Sequence, residues 1–71
     1  MKFIVLEIQK NASGTVSTLA TGYDDRPHAD AGYYSLLAVC ALSNLPKHGA
    51  MLITEDGEVY KSEMYTRKIT S

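Results

Sequence analysis

The stretch that decides the fold is YYSLLAVCALSNLP, residues 33–46, read together with its lead-in DDRP, residues 24–27. An aspartate just ahead of a proline marks a helix start. The carboxylate accepts hydrogen bonds from the free N–H groups of the first turn, and proline is tolerated there because it has none. Apolar residues then recur at helical spacing until Pro46, which forbids continuation, so the sequence predicts one helix over residues 26–44. On a wheel of 100° per residue, Ala29, Tyr33, Leu36, Leu37 and Cys40 make one stripe. Tyr34, Ala38, Ala41 and Leu42 make a second stripe beside it and around the back. Only His28, Gly32, Ser35 and Ser43 mark a weakly polar edge, and no lysine, arginine or glutamate lies between Pro27 and Leu45. Such a helix needs cover on more than one side.

Upstream, KFIVLEIQK (residues 2–10) is β-branched, apolar and too short for a globular helix. Ile4, Leu6 and Ile8 point one way, Phe3, Val5 and Glu7 the other. With Phe3 and Val5 on it, the second face is expected to be covered as well. Asn11-Ala12-Ser13-Gly14 supplies turn chemistry, with Gly14 free to take positive φ. A second strand follows over residues 15–23, its threonines typical of a half-exposed sheet surface. Downstream, Asp56-Gly57 sits between two β-prone runs, a strong short hairpin signal, and predicts strands over residues 50–54 and 59–67. The order is ββαββ. The expected fold is a single α+β domain over residues 1–71, a four-stranded antiparallel sheet with one helix packed across one face.

Size and composition narrow the function. A chain of 71 residues buries only about 60% of its unfolded surface, so a disulfide framework, a metal or a partner subunit is the usual supplement. One cysteine excludes an internal disulfide. His28 and His48 have no zinc-ligand spacing. Oligomerisation is left, and the second helix stripe, Tyr34, Ala38, Ala41 and Leu42, is the expected interface with another copy, a dimer or higher. Seven basic against eight acidic residues give a net charge of −1, and no basic stripe favours phosphate neutralisation. The apolar opening is too short for a signal peptide or a membrane span, which makes a bacterial cytoplasm the expected location.

Groups that carry chemistry are sparse. Cys40 and His48 would suit a nucleophile and base, but Cys40 falls on the core stripe, where an inert buried thiol is expected. Asp24, Asp25, His28 and Asp30 cluster at the helix start, and capping together with the helix dipole accounts for them without a metal. Glu55, Asp56 and Glu58 form an acidic hairpin tip of ordinary turn residues. No glycine-rich phosphate loop or Ser/His/Asp arrangement is present, so neither an enzyme nor a cofactor is expected. Tyrosines stand out: Tyr23, Tyr33, Tyr34, Tyr60 and Tyr65 are five of six aromatics. Tyr60 and Tyr65 alternate with Lys61, Arg67 and Lys68, a mixture able to stack a base and pair with a phosphate, or to sit as ordinary sheet-surface aromatics among solubilising charges.

The ordered phrases MKFIVLEIQ, N-x-x-G-T-V-S-T, a Tyr- and Ala-rich helix and H-x-A-x-L-x-T-x-x-G-E-V-x-K-S-E-x-Y cover most of the chain. In these the sequence resembles small proteins encoded by phages and prophages of Gram-positive, often gut, bacteria. It departs from them over residues 24–30, where they are more Glu-rich and lack the Arg26-Pro27 start. The resemblance supplies no catalytic or binding residues. It implies a phage product that acts by binding a host protein, an immune component or a small signalling nucleotide. The reading from sequence is a homo-oligomeric, non-enzymatic binding protein, expected to act as a counter-defence or host-takeover inhibitor, with Tyr60, Lys61, Tyr65 and Arg67 as the partner-binding strand. The alternatives are a virion-assembly accessory protein and a sheet-type nucleic-acid binder.

Overall fold

The computed structural model describes residues 2–67. Four strands and one helix follow in the expected order: β1 (Phe3–Lys10), β2 (Val16–Tyr23), α1 (Arg26–Leu42), β3 (Lys47–Thr54) and β4 (Val59–Thr66). All neighbours are antiparallel, and the sheet order is β2-β1-β3-β4. The two hairpins therefore meet at β1 and β3, and the outer strands β2 and β4 form the edges. The molecule is an elongated slab of 43 × 20 × 15 Å.

Both hairpins close in the same way. Asn11 donates its N–H to the Thr15 carbonyl and accepts from Gly14 N at 3.0 Å, and Gly14 sits at φ 91°. Thr54 donates to the Glu58 carbonyl and accepts from Gly57 N at 2.9 Å, and Gly57 sits at φ 89°. Each is a three-residue loop whose last residue needs the left-handed region, which glycine reaches without strain. Side chains lock both loops: Asn11 Oδ1 accepts from Ser13 N and Thr15 N, and Thr54 Oγ1 accepts from Glu58 N.

Asp25 caps α1, accepting from His28 N at 2.8 Å, with Pro27 in the first turn. The helix stops two residues short of the expected 44. Ser43 turns extended, its N–H bonds the Cys40 carbonyl, and its Oγ accepts from Leu45 N. β3 in turn begins at Lys47 rather than 50, because residues 47–49 pair with the far end of β1 and with β4.

The helix stripe lies on the sheet as its spacing demands. Ala29, Tyr33 and Cys40 are buried, and Leu36 and Leu37 pack beside a core completed by Val5, Ala50 and Leu52. Burial of one such large side chain stabilises by about 1.5–3 kcal/mol. The register sets Val5 opposite Leu52, so the helix covers the Phe3/Val5/Glu7 face of β1. Ile4, Leu6 and Ile8 lie on the other face, which no element among the described residues covers. Shape explains the choice. Ala29 and Ala50 are small, so the helix comes close enough for Tyr33 to fill the gap above Val5 and Leu52.

Candidate functional site

Three groupings of side chains emerge, and the first is the strand singled out by its tyrosines. Tyr60, Lys61, Tyr65 and Arg67 all reach the seam between β4 and α1. The Arg26 guanidinium lies 4.4 Å from the Tyr60 ring centroid, and Phe3 flanks that ring at 6.1 Å. Lys61 Nζ sits 4.5 Å from the Tyr34 ring centroid and donates to its hydroxyl. Arg67 lies 5.6 Å from Tyr65, and its Nη2 donates to the Ala41 carbonyl. Three cations thus alternate with three tyrosines along one edge of the slab. The β4 bulge makes this possible. Leu52 pairs with Lys61 and Ile53 with Val59, so Tyr60 is left over in the ladder and turns toward Phe3.

The seam is not an open basic patch, since each cation already has an aromatic or carbonyl partner. Releasing an exposed cation from a ring costs about 0.5–1 kcal/mol. A charge-assisted hydrogen bond to an anion returns more. An anion carrying a flat ring could therefore exchange into the seam. Lys68 lies outside the described residues.

The second grouping was not legible in the sequence. Glu7 and Gln9 on β1 and His48 on β3 meet beneath the C-terminal half of α1. His48 Nε2 is 2.6 Å from Glu7 Oε2, and Gln9 Nε2 donates to the same oxygen at 2.7 Å. An ionised carboxylate only accepts, so Nε2 carries the proton. The His48 hydrogen bond, with help from Gln9, holds the Glu7 carboxyl below the usual carboxylate range. His48 is itself buried, and its Nδ1 has no partner among the described residues.

Cys40 is buried nearby, and burial, then the Glu7 charge, pushes its thiol up. A thiol held protonated and out of hydrogen-bond reach of the imidazole is not an activated nucleophile. The only available signal was Glu7 interrupting an apolar run, with nothing to name a partner 41 residues away.

At the helix start the acidic cluster is occupied by structure. Asp25 caps the helix and holds the His28 ring at 2.7 Å, and hydrogen bonds from the His28 backbone and then its ring lower the Asp25 pKa. Arg26 pairs with Asp30 at 3.0 Å. Among the described residues no group of three or more His, Cys, Asp or Glu side chains could hold a metal ion.

The third grouping is apolar surface. Ile4, Leu6, Ile8, Met51 and Ile53 run down the middle of the open sheet face, flanked by Val16, Val59 and Met64, which are exposed. On the opposite side of the slab the second helix stripe is exposed in the single chain: Tyr34 at 53% and Leu42 at 86%, with Ala38 and Ala41 between them. Val39, at 58%, extends this strip. No helix among the described residues is long and apolar enough to cross a membrane. Comparison with protein-family models, with curated proteins and with solved structures returns no match, so the functional reading rests on these residues.

Proposed function

We propose that this chain is a non-enzymatic, homo-oligomeric binding protein, in which a second copy covers the open sheet face and the α1–β4 seam takes the target. The observation that carries it is the row Ile4, Leu6, Ile8, Met51 and Ile53 on a face that no element among the described residues covers. Four strands at about 4.8 Å spacing and eight residues at about 3.4 Å rise give roughly 500 Å² per face. Two copies packed face to face would bury roughly 1,000 Å², the lower bound for a specific interface. Sheets pack this way at about 10 Å separation, with side chains of both inner faces interdigitating. The helix strip Tyr34, Ala38, Ala41 and Leu42 offers a further contact for larger assemblies.

The target class follows from the seam and from the resemblance to phage-encoded proteins. Tyrosine rings alternating with exchangeable cations suit a small signalling nucleotide, taken up stoichiometrically, or an acidic aromatic segment of a host protein. Either would make the protein a counter-defence or host-takeover inhibitor acting by sequestration.

Native mass spectrometry tests both parts. The parent chain is expected as a defined oligomer, Leu6→Glu as a smaller species with its circular dichroism intact, and Leu42→Glu as reduced only if larger assemblies form. An unchanged mass for a folded Leu6→Glu overturns the sheet-face interface. Denaturing the parent oligomer should release a nucleotide-sized mass; if none is released and no host protein is retained, the seam is not the binding site.

A further inference from the structure

The two edges of the sheet are built differently, and one of them is self-complementary. We infer that β2 pairs antiparallel with β2 of a second copy, across a two-fold axis at Leu19, extending the sheet through its edge. This reading uses the strand edge and stands independently of the face-to-face contact.

The ladder fixes which backbone groups are available. Asn11 N–H donates to the Thr15 carbonyl, so the hydrogen-bonded pairs of the first hairpin are its odd-numbered residues, from Gln9 with Ser17 to Phe3 with Tyr23. Glu55 N–H donates to the Lys2 carbonyl, which sends the even-numbered residues of β1 toward β3 and agrees with that parity. On β2 the N–H and C=O groups of Val16, Thr18, Ala20 and Gly22 therefore point outward, and no described residue pairs with them.

Proteins blunt such edges with charge, proline, bulges or a cover. β4 has Lys61, Glu63, a bulge and side chains tied to the helix. β2, VSTLATGY, has no charged residue, no proline and an unbroken register against β1, and seven of its eight residues are exposed.

The second copy is the occupant because the strand fits itself. About a dyad at Leu19, Val16 faces Gly22 and Thr18 faces Ala20, so every outward N–H meets an outward C=O. A one-residue shift would bring inward-pointing residues to the edge, and a two-residue shift would leave an end pair unmatched. Leu19 is 63% exposed on the helix side of the sheet. At the dyad it meets its own counterpart at a non-hydrogen-bonded position, where Cα atoms approach to about 4.5 Å and side chains lie closest. A strand without charge also brings two copies together without repulsion.

Cysteine crosslinking reads the register directly. A Cα separation of about 4.5 Å lies within the range a disulfide spans, and the native thiol, Cys40, is buried. Under mild oxidation Leu19→Cys is expected to give a covalent dimer. Ser17→Cys is expected to stay unlinked, because its copies would be four residues, about 13 Å, apart. The double variant Ser17→Cys/Thr21→Cys should give a doubly linked dimer, which covers the case of a Leu19 variant that folds poorly. An unlinked Leu19→Cys alongside an unlinked double variant overturns the proposal, as does equal crosslinking of Ser17→Cys. A Leu19→Cys chain that stays single and carries a foreign polypeptide on the edge also overturns it, in favour of strand addition by another protein. Failure of Leu6→Glu to change mass would leave these outcomes untouched.

Discussion

The two hairpins share a turn and diverge in their outer strands. Each closes through a three-residue loop ending in a positive-φ glycine, Gly14 or Gly57. Each donates one inner strand to the centre of the sheet. Beyond that the second hairpin is fastened: Lys61 and Arg67 reach across to Tyr34 and Ala41 on the helix, and Tyr60 is held between Phe3 and Arg26. Among the described residues the outer strand of the first is fastened at one point, where Tyr23 packs against α1 in space left by the missing side chain of Gly32. Identical local chemistry in the turns thus produces one closed edge and one open edge. The difference lies in which outer strand carries long cationic side chains within reach of the helix.

The sharpest way to break this comparison is to separate β4 from β3. A Cβ built at Gly49 would run into the Glu63 carbonyl oxygen and the Met64 Cα, both backbone atoms. Gly49→Ala is expected to cost about 1–3 kcal/mol, the usual penalty of overpacking. That is a large fraction of a stability of roughly 4–10 kcal/mol for a chain of this size. Urea denaturation would measure it, with Thr18→Ala on the exposed β2 as a reference expected within about 0.5 kcal/mol. Equal losses for the two would mean that the edges are not differently held.

Acid should loosen the joint between the hairpins next. Glu7 on β1 and His48 on β3 are its polar link, and the hydrogen bond from His48 lowers the Glu7 pKa from its ordinary value of 4.5. A carboxyl whose pKa falls on folding adds stability that is fully present above its unfolded value and is lost as pH falls through the folded one. The melting temperature is therefore expected to drop below about pH 4.5, and Glu7→Gln should flatten that drop. Asp25, also lowered by its capping bonds, acts in the same direction, so Asp25→Asn is the companion measurement. A profile unchanged by Glu7→Gln would assign the acid response to the cap.

Much of the fold was legible because its signals are local. Asp25 and Pro27 lie within the first turn they form, the turn glycines announce both hairpins, and helical spacing named Ala29, Tyr33 and Cys40 as core. The choice of sheet face was not, since β1 offers aliphatic side chains on both sides. What decided it was the size match between Ala29, Ala50 and Tyr33, a relation among three elements. The same holds for the site. Tyr60, Lys61, Tyr65 and Arg67 could be picked out as a mixed aromatic and cationic strand. That their cations are turned onto tyrosines depends on a contact spanning 27 residues and on a bulge that redirects Tyr60. Glu7 and His48 are 41 residues apart, and no periodicity connects them.

The smallest expected effect probes the fastening itself. Arg67 donates to the Ala41 carbonyl and lies over Tyr65, contacts worth about 0.5–1.5 kcal/mol for the hydrogen bond and about 0.5–1 for the ring. Arg67→Ala should lower global stability by about 1 kcal/mol at most, because the group is only partly buried and solvent competes for it. Its local effect should be larger than its global one. The amides of β4 that bond to β3, at Glu63 and Tyr65, should exchange with solvent faster than in the parent chain. The outward amides of β2, which no described residue pairs with, should not change. Hydrogen exchange resolved by residue would show this difference. If β2 instead proves the slower edge in the parent chain, its amides are covered by something outside the chain, and adding Ala20→Pro, which removes one outward donor and spares the ladder to β1, should expose them.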